Sequence, residues 1–286
     1  MRKLVIGGLA VVLAAVVSAG CGGSKSSSTT TAAQPATTST QAAGPKIAAP
    51  AAIESAGKIV WCSDVTYPPE EFFQGTKPVG SDIDIANGIS SLLGVKAEIQ
   101  NTGFDGIIAA LLGDKCDAII SGMNDTPERA KQVDFVDYLS VGQSLMVKKG
   151  NPKNISNLNS LAGLTVSVEV GTTNKDFLTA ANKKLSKKMD IVTFPKDTDA
   201  ANALKTGKVD AYFGDSPVVA YYIEKDPASF AFAGSPINPI PVGIALRKNE
   251  GELKTAISKA VDTMYADGSM TKILAKWHMS DFALKK

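Results

Sequence analysis

The sequence predicts an α/β protein with two lobes, each a mainly parallel sheet flanked by helices. Strand-like and helix-like segments alternate from Lys58 onward, and this alternation is typical of a parallel sheet that is covered on both faces. The same order of segments restarts near Asn157. A short internal repeat supports a duplication, because residues 110–118 and 203–211 share Ala, Leu, Lys, Asp and Ala at matching positions.

Apolar periodicity and turn residues place the elements of each lobe. The first lobe is predicted to contain strands at 58–62, 95–100 and 117–123, with helices at 83–93, 104–112 and 126–132. The second is predicted to contain strands at 164–170, 190–194 and 209–214, with helices at 173–185 and 198–205. Two further helices are predicted at 252–267 and 269–277. Gly94 ends the predicted helix 83–93, and Pro127 suits the first turn of the predicted helix 126–132.

Two apolar segments that end in cations, residues 143–149 and 242–248, are predicted to cross between the lobes. The first lobe then comprises residues 57–141 and 242–286, and the second lobe comprises residues 142–241. Two crossings form a hinge, about which the lobes are expected to close on a ligand.

The composition excludes several classes of function. The chain has 286 residues, with 30 Lys and Arg against 28 Asp and Glu. A chain so close to neutral, with no basic block, lacks the electrostatic footprint of a nucleic-acid-binding protein. Its single histidine, His278, excludes a multi-histidine metal site and most Ser-His or Cys-His catalytic arrangements. Three cysteines without a Cys-x-x-Cys pair exclude a cysteine-rich zinc or iron-sulfur site.

Residues 1–20 are predicted to be a secretory signal peptide. A positive pair at residues 2–3 precedes an apolar run over residues 4–17, which has the right length for a signal core and is short for a membrane span. The run closes with Ser18-Ala19-Gly20-Cys21, which resembles the lipobox of bacterial lipoproteins. In that motif the peptidase cuts before the cysteine, and the cysteine sulfur carries a diacylglyceryl group. The resemblance implies that Cys21 is the site of lipidation.

The stretch that follows Cys21 is predicted to be a flexible tether ending at residue 56. Between residues 22 and 46 it holds five Ser, six Thr and five Ala, with no Val, Leu, Ile or aromatic residue. Such a segment cannot bury enough apolar surface to offset the entropy of ordering the chain. A lipid-modified cysteine and this tether would hold a globular body near a membrane, outside the cytoplasm.

Polar and aromatic residues follow the predicted strand ends, and these are the candidate binding residues. In open α/β sheets, ligands lie beyond the carboxyl ends of the strands. The residues found there are Asp64, Tyr67, Phe104, Ser121, Gly122, Asn124, Arg129, Thr172, Thr173 and Asp215.

The chemistry of these candidates matches a free amino acid. Arg129 is suited to hold a carboxylate through two parallel hydrogen bonds, and the backbone N–H groups at Thr172 and Thr173, which precede a helix, favour an anion. Asp215 is suited to hold an ammonium group. Tyr67 and Phe104 offer flat apolar walls for a side chain.

Each of these assignments has a structural alternative. Arg129 could be solvated and paired with a neighbouring acid, Asp215 could cap the next helix, and the two aromatic residues could belong to the core. Asp82 and Asp84 resemble a catalytic carboxylate pair, but at the start of a predicted helix they favour stabilisation of its N-terminus.

Six short motifs occur in order along the body of the chain, between residues 57 and 280. They are GSDIDIA (80–86), FDGII (104–108), DAIISGM (117–123), TPER (126–129), GTT (171–173) and DAYFGD (210–215). Together they resemble the extracytoplasmic solute-binding proteins of polar amino-acid ABC transporters, known as family 3.

The resemblance implies a periplasmic-binding-protein-like fold and a non-enzymatic function without a cofactor. A monomer would capture a free amino acid in the cleft between the lobes and deliver it to a membrane permease. The chain has no nucleotide-binding loop, so a cytoplasmic ATPase would supply the energy for transport.

The resemblance also implies roles for the candidate residues. Arg129 would pair with the α-carboxylate of the ligand, assisted by the backbone at Gly122 and by Thr173 with its neighbour Thr172. Asp215 would take the α-ammonium group. The residues expected to contact the amino group or the side chain of the ligand are Tyr67, Phe104, Ser121 and Asn124.

Two other functions fit the same scaffold. Cyclic-acid dehydratases that resemble these proteins need a general acid near the leaving hydroxyl, and Glu70 or Asp64 would be the candidates here. A sensory receptor would instead pass the closure of the lobes to a membrane kinase.

The predicted order of ligands is basic first, polar neutral second and acidic last. Asp64, and with it Glu70, would place a carboxylate at the far end of the pocket, where it suits a cationic tip. The turn at Asp64 also resembles that of glutamine receptors, and Asn124 suits an amide or a hydroxyl. A ligand with a second carboxylate would face Asp64 with no visible cation nearby.

Cys62 and Cys116 remain after lipidation, and an oxidising compartment permits a disulfide between them. If their strands are extended parallel neighbours in register, the two Cα atoms lie roughly 13 Å apart. This exceeds the limit of about 7 Å for a bridge. The sequence therefore favours two unbridged cysteines.

Overall fold

The computed structural model describes residues 47–285. The predicted signal peptide, Cys21 and residues 22–46 of the predicted tether lie outside the described residues. The strands are β1 (Lys58–Ser63), β2 (Thr66–Tyr67), β3 (Glu71–Gln74), β4 (Lys77–Val79), β5 (Lys96–Asn101), β6 (Ala118–Ile119), β7 (Val133–Lys148), β8 (Thr165–Glu169), β9 (Asp190–Phe194), β10 (Ala211–Asp215) and β11 (Phe230–Arg247). The helices are α1 (Ala51–Ala56), α2 (Ser81–Leu92), α3 (Ile107–Leu112), α4 (Thr173–Lys184), α5 (Asp197–Lys205), α6 (Ser216–Lys225), α7 (Gly251–Ala266) and α8 (Ser269–Lys276).

The strands form one large mixed sheet and one small sheet. The large sheet has the order β5-β1-β6-β11-β7-β10-β8-β9, and the small antiparallel sheet has the order β2-β3-β4. β1 is parallel to β5 and β6 at one end of the large sheet, and β8 is parallel to β9 and β10 at the other end. β7 and β11 run antiparallel between these two groups. The predicted two-lobed α/β fold is confirmed.

β7 and β11 pass through both lobes as continuous strands. In the first lobe β11 pairs with β7 from Val242↔Leu139 to Arg247↔Val133, and in the second lobe from Phe230↔Lys148 to Ala233↔Leu145. The register shifts between Ala233 and Ile240, where the chain passes between the lobes. The sequence predicted only the crossing segments 143–149 and 242–248, so it missed more than half of each strand. The lobe boundaries drawn from those crossings stay a prediction.

The apolar core is divided between the lobes. In the first lobe, Trp61 and Tyr138 are fully buried against the inner faces of α2 and α7. Ile85 and Ile89 lie one helical turn apart and form the buried face of α2. In the second lobe a separate cluster is centred on the apolar side chains of β8 and β10. Separate cores are consistent with lobes that move as two bodies.

One predicted helix is wrong. The sequence predicted a helix over 126–132, but the structure has only a single 3₁₀ turn at Arg129–Lys131. β7 begins at Val133, so the chain has no room for a longer helix. Arg129 therefore lies on a short turn between two strands.

The last part of the predicted tether is ordered. Residues 51–56 form α1, and Ile53 is buried in the core of the first lobe. The backbone N–H of Ile47 donates a hydrogen bond to Leu92 O at 3.1 Å. The sequence prediction extended the tether over this segment, but Ile47 and Ile53 pack against the core of the first lobe.

The lobes meet at a second place, away from the strand ends. The Phe72 ring lies 5.5 Å from the Tyr221 ring of α6 and 5.7 Å from the Trp277 ring, measured between centroids. Beside them His278 Nδ1 lies 2.8 Å from Glu224 Oε2. We call these five residues the aromatic latch. Tyr221 and Glu224 belong to the second lobe and the other three to the first, so the latch forms only when the lobes are together.

No helix among residues 47–285 is long and apolar enough to cross a membrane.

Cys62 and Cys116 form a disulfide, so our expectation of unbridged cysteines is wrong. Their Cα atoms lie 5.7 Å apart. β6 has only two residues, and the chain bends at residues 115 and 117 before entering it. Cys116 is therefore not an extension of the strand, and the offset that we derived from an extended chain does not apply.

We expect the double variant Cys62→Ala/Cys116→Ala to unfold more easily than the wild-type protein. The two cysteines are 54 residues apart, and closing a loop of this size stabilises a fold by about 2–4 kcal/mol through the unfolded chain. Urea unfolding monitored by circular dichroism measures the loss. Wild-type protein unfolded with a reductant is the control, because it loses the cross-link and keeps both side chains. Equal unfolding midpoints in all three samples would contradict a stabilising role.

Candidate functional site

A cavity between the lobes is lined by side chains from both. The lining residues are Tyr67, Phe104, Gly122, Asn124, Arg129, Glu169, Thr172, Thr173, Asn174 and Asp215. The free space between these side chains, which includes space open to solvent, is about 230 Å³. All the predicted candidates except Asp64 and Ser121 line this cavity.

Arg129 connects the two lobes. Its guanidinium donates hydrogen bonds to Asn124 O at 2.9 Å in its own lobe and to Gly171 O at 3.2 Å in the other. The same group lies 5.3 Å from the centroid of the Phe104 ring, within the range of a cation–π contact. The alternative of a solvated Arg129 paired with a neighbouring acid is therefore not what the structure shows.

Gly171 permits the close approach of the lobes at this point. Its φ is +78°, and a Cβ at this position would lie 2.8 Å from Asp105 Cα in the first lobe. Any larger residue would force the lobes apart. The turn before α4 thus brings its carbonyl to Arg129 because residue 171 is a glycine.

Asn124 and Thr173 form a second polar contact across the cavity. Thr173 Oγ1 donates a hydrogen bond to Asn124 Oδ1 at 2.5 Å, and both side chains are buried. Thr172 is the N-cap of α4, and its hydroxyl accepts a hydrogen bond from the backbone N–H of Lys175. The backbone at Thr173 is therefore held at the start of a helix, as the sequence predicted.

Asp215 is buried at the end of β10. Its Oδ1 accepts a hydrogen bond from Asn174 at 3.1 Å, and its backbone N–H donates to the Tyr67 hydroxyl at 3.3 Å. It occupies the N-cap position of α6 but makes no side-chain capping bond, so capping does not explain its carboxylate. Burial raises the pKa of Asp215 to about 6, although hydrogen bonds from Asn174 and Tyr67 and the charge of Arg129 act to lower it.

Asp64 and Ser121 serve the first lobe instead of the cavity. Asp64 Oδ1 accepts a hydrogen bond from the Thr66 hydroxyl at 2.7 Å, and Oδ2 accepts one from the Phe104 N–H at 2.6 Å. Ser121 Oγ accepts from the Asp64 N–H at 2.9 Å and donates to Glu71 Oε1 at 2.7 Å. The Asp64 carboxylate thus holds the turn that carries Phe104, and its proposed contact with a cationic tip has no geometric support.

The backbone N–H of Gly122 is also committed within the first lobe. It donates a hydrogen bond to Asp82 Oδ2 at 2.8 Å, and the same oxygen accepts from the Tyr138 hydroxyl at 2.7 Å. This N–H therefore has a partner in its own lobe, and its expected help to a ligand carboxylate stays a prediction. Asp82 thus ties the start of α2 to the cavity wall, and the stabilisation of the helix N-terminus that the sequence favoured stays a prediction.

Sequence reasoning missed Glu169. We drew the strand to residue 170 and counted candidates from Gly171, whereas β8 ends at Glu169. A glutamate at the end of an otherwise apolar, buried strand is unusual, and this signal could have identified it. Burial raises the pKa of Glu169 well above its usual value, and the carboxylates of Asp197, Asp64 and Asp215 raise it further.

Two more buried acids lie behind the cavity wall. Burial and the neighbouring Asp82 raise the pKa values of Glu70 and Glu71 well above their usual range. Neither side chain lines the cavity, so Glu70 is not placed there as a general acid. Within the described part of the chain, no group of three or more His, Cys, Asp or Glu side chains is arranged to hold a metal ion.

Comparison with known proteins finds relatives that cover most of this chain. L-cystine-binding protein TcyJ of Escherichia coli (strain K12) is 29% identical over 80% of this chain and 85% of the relative. The lysine/arginine/ornithine-binding periplasmic protein of the same organism is 32% identical over 75% of this chain and 85% of the relative. The structure of an ancestral arginine-binding protein bound to arginine is 39% identical with a TM-score of 0.73, and it covers 77% of this chain and 98% of that one.

The match to a family extends over nearly all of the two-lobed body. The family of bacterial extracellular solute-binding proteins, family 3, matches residues 59–280, which include both lobes and every lining residue of the cavity. The chain therefore belongs to family 3 of the bacterial extracellular solute-binding proteins.

Proposed function

We propose that this protein captures a free amino acid, with a preference for basic side chains, and delivers it to an ABC permease. The observation that carries the proposal is the cavity itself, in which Arg129 from one lobe and Asp215 from the other face the same space. A guanidinium and a carboxylate are the partners that an α-carboxylate and an α-ammonium require. Tyr67 and Phe104 supply apolar walls beside them.

The relatives support the same class of ligand. Those described above are named for cystine, for lysine, arginine and ornithine, and for arginine. All of these ligands carry an α-amino and an α-carboxylate group. Arg129 is the only cation that lines the cavity among the described residues, so an additional ligand carboxylate would have no partner there.

The dehydratase alternative lacks the general acids that the sequence suggested for it. The residues predicted to act as its general acid, Glu70 and Asp64, do not line the cavity. We therefore propose a binding protein without a catalytic step.

The proposed ligand order is tested by calorimetric titration with arginine, lysine, glutamine and glutamate. We expect the two basic amino acids to bind most tightly and glutamate least tightly. The Arg129→Ala variant should bind every ligand at least about tenfold more weakly, because removing one partner of a buried charge pair costs on the order of 2–5 kcal/mol. A thermal melt checks that the variant is folded. Tight binding of glutamate with arginine silent, or wild-type affinity in the folded variant, would refute the assignment.

The affinity for the amino acid should fall at low pH. Asp215 must be ionised to hold an ammonium group, and its raised pKa lies at about 6 in the closed protein. The ionised fraction falls about tenfold for each pH unit below the pKa, so the dissociation constant should rise steeply below that point and level off above pH ~7. Titrations between pH 4.5 and 8 measure the profile. Both the wild-type protein and the Asp215→Asn control are titrated with glutamine, whose neutral side chain needs no ionised Glu169. The variant should bind weakly and lose most of this dependence. A wild-type profile that stays flat down to the lowest pH would contradict the role of Asp215.

We also propose that Cys21 anchors the protein outside the cytoplasm through a lipid. The support is the small-residue run before Cys21 and the polar stretch after it. The Cys21→Ser variant should move from the membrane fraction to the soluble fraction, because the acyl chains supply the membrane affinity. The Cys62→Ala/Cys116→Ala variant is the matched control and should remain with the membrane. A Cys21→Ser protein that still sediments with membranes would show that the anchor lies elsewhere.

A further inference from the structure

Glu169 is a buried acid that lines the cavity. It is only 3% exposed and lies at the carboxyl end of β8, among the cavity-lining residues. Its Oε1 atom makes no hydrogen bond to any described residue. A buried carboxylate oxygen without a partner is costly, so this atom marks a position where a donor would be strongly favoured.

The other acids near Glu169 are already engaged. Asp64 accepts hydrogen bonds at both oxygens from its own lobe, and Asp197 accepts from the hydroxyls of Tyr212 and Tyr222. Asp215 accepts from Asn174 and has the ligand's ammonium group as its proposed partner. Of these four acids, Glu169 is the one that lines the cavity and has a buried carboxylate oxygen without a hydrogen-bond partner.

The charges around the cavity indicate the chemical nature of the donor that would bind Glu169 Oε1. The α-groups of an amino acid use Arg129 and Asp215, which leaves the Glu169 carboxyl group without an oppositely charged partner among the lining residues. Two further carboxylates, Asp64 and Asp197, lie close enough to act on Glu169 electrostatically. A positive group next to Glu169 would therefore gain from all three carboxylates, and a negative group would be repelled by them.

We propose that Glu169 determines the specificity of this site by pairing with a cationic group at the distal end of the ligand side chain. This inference rests on the proposed function, because it assumes that an amino acid occupies the cavity. It replaces Asp64, the residue that the sequence suggested for this contact, with one from the opposite lobe. A cationic ligand then touches acids of the second lobe at both ends of its chain, at Asp215 and at Glu169.

A comparison of arginine with citrulline tests whether the site recognises the charge or the shape of the ligand side chain. Citrulline has nearly the same shape as arginine but carries a neutral urea group in place of the guanidinium. Wild-type protein should bind arginine at least about tenfold more tightly than citrulline. In the Glu169→Gln variant the affinity for arginine should fall by at least about tenfold while that for citrulline changes little, so the ratio approaches one.

Two controls make the result specific to Glu169. The Asp199→Asn variant removes the same charge from an exposed position of the second lobe and should keep the wild-type ratio of arginine to citrulline. The Glu169→Asp variant keeps the charge but withdraws it by one methylene, and should give an intermediate ratio. It also serves as the test variant if Glu169→Gln fails to show a cooperative thermal melt.

The outcomes distinguish the inference from the proposed function. If wild-type protein binds no amino acid, the proposed function fails, and the inference fails with it. If wild-type protein binds amino acids but folded Glu169 variants keep its ratio of arginine to citrulline, only the inference is overturned. If the ratio of arginine affinity to citrulline affinity falls in Asp64→Asn and not in Glu169→Gln, the cationic group pairs with Asp64. This result would also overturn the inference.

Discussion

The burial of like charges in the cleft is the constraint on which the rest of the structure depends. Asp215 and Glu169 are almost fully buried when the lobes are together, and one guanidinium, that of Arg129, faces them across the cavity. Removing carboxylates from water is unfavourable unless a counter-charge takes the place of the water. Closure of the lobes and capture of a ligand with positive groups are therefore linked, since each lowers the free-energy cost of the other.

The scaffold makes this arrangement possible by fixing two walls independently. Each lobe has its own core, while β7 and β11 run through both. The strand ends of the first lobe place Tyr67 and Asn124, and those of the second place Glu169 and Asp215. A register shift where the paired strands pass between the lobes interrupts the ladder at the place where bending is needed. The walls are stiff, and the connection between them is the part suited to change.

Much of the fold and most of the cavity lining could be predicted from the sequence, because both depend on local patterns. Buried strands and amphipathic helices have clear periodicity, and the carboxyl ends of parallel strands indicate where a ligand lies. What failed depends on the exact geometry of single residues. Glu169 was missed because only residues beyond the strand end were counted as candidates, whereas Glu169 is the last residue of β8 and lines the cavity from within the strand. The Cys62–Cys116 bridge was missed because the chain bends before β6. Asp64 was placed in the cavity by its position along the chain, but its hydrogen bonds turn it toward the Phe104 loop.

The aromatic latch, formed by Phe72, Tyr221, Trp277, His278 and Glu224, would affect binding differently from the cavity residues. None of its members lines the cavity, so the latch makes the same contribution whichever amino acid is enclosed. A stronger latch would raise the fraction of protein in the closed form and would tighten every ligand by the same factor. Under the proposed function, affinity and selectivity would thus be set at separate places in this molecule. The aromatic latch would scale all dissociation constants together, and only the cavity would rank the ligands.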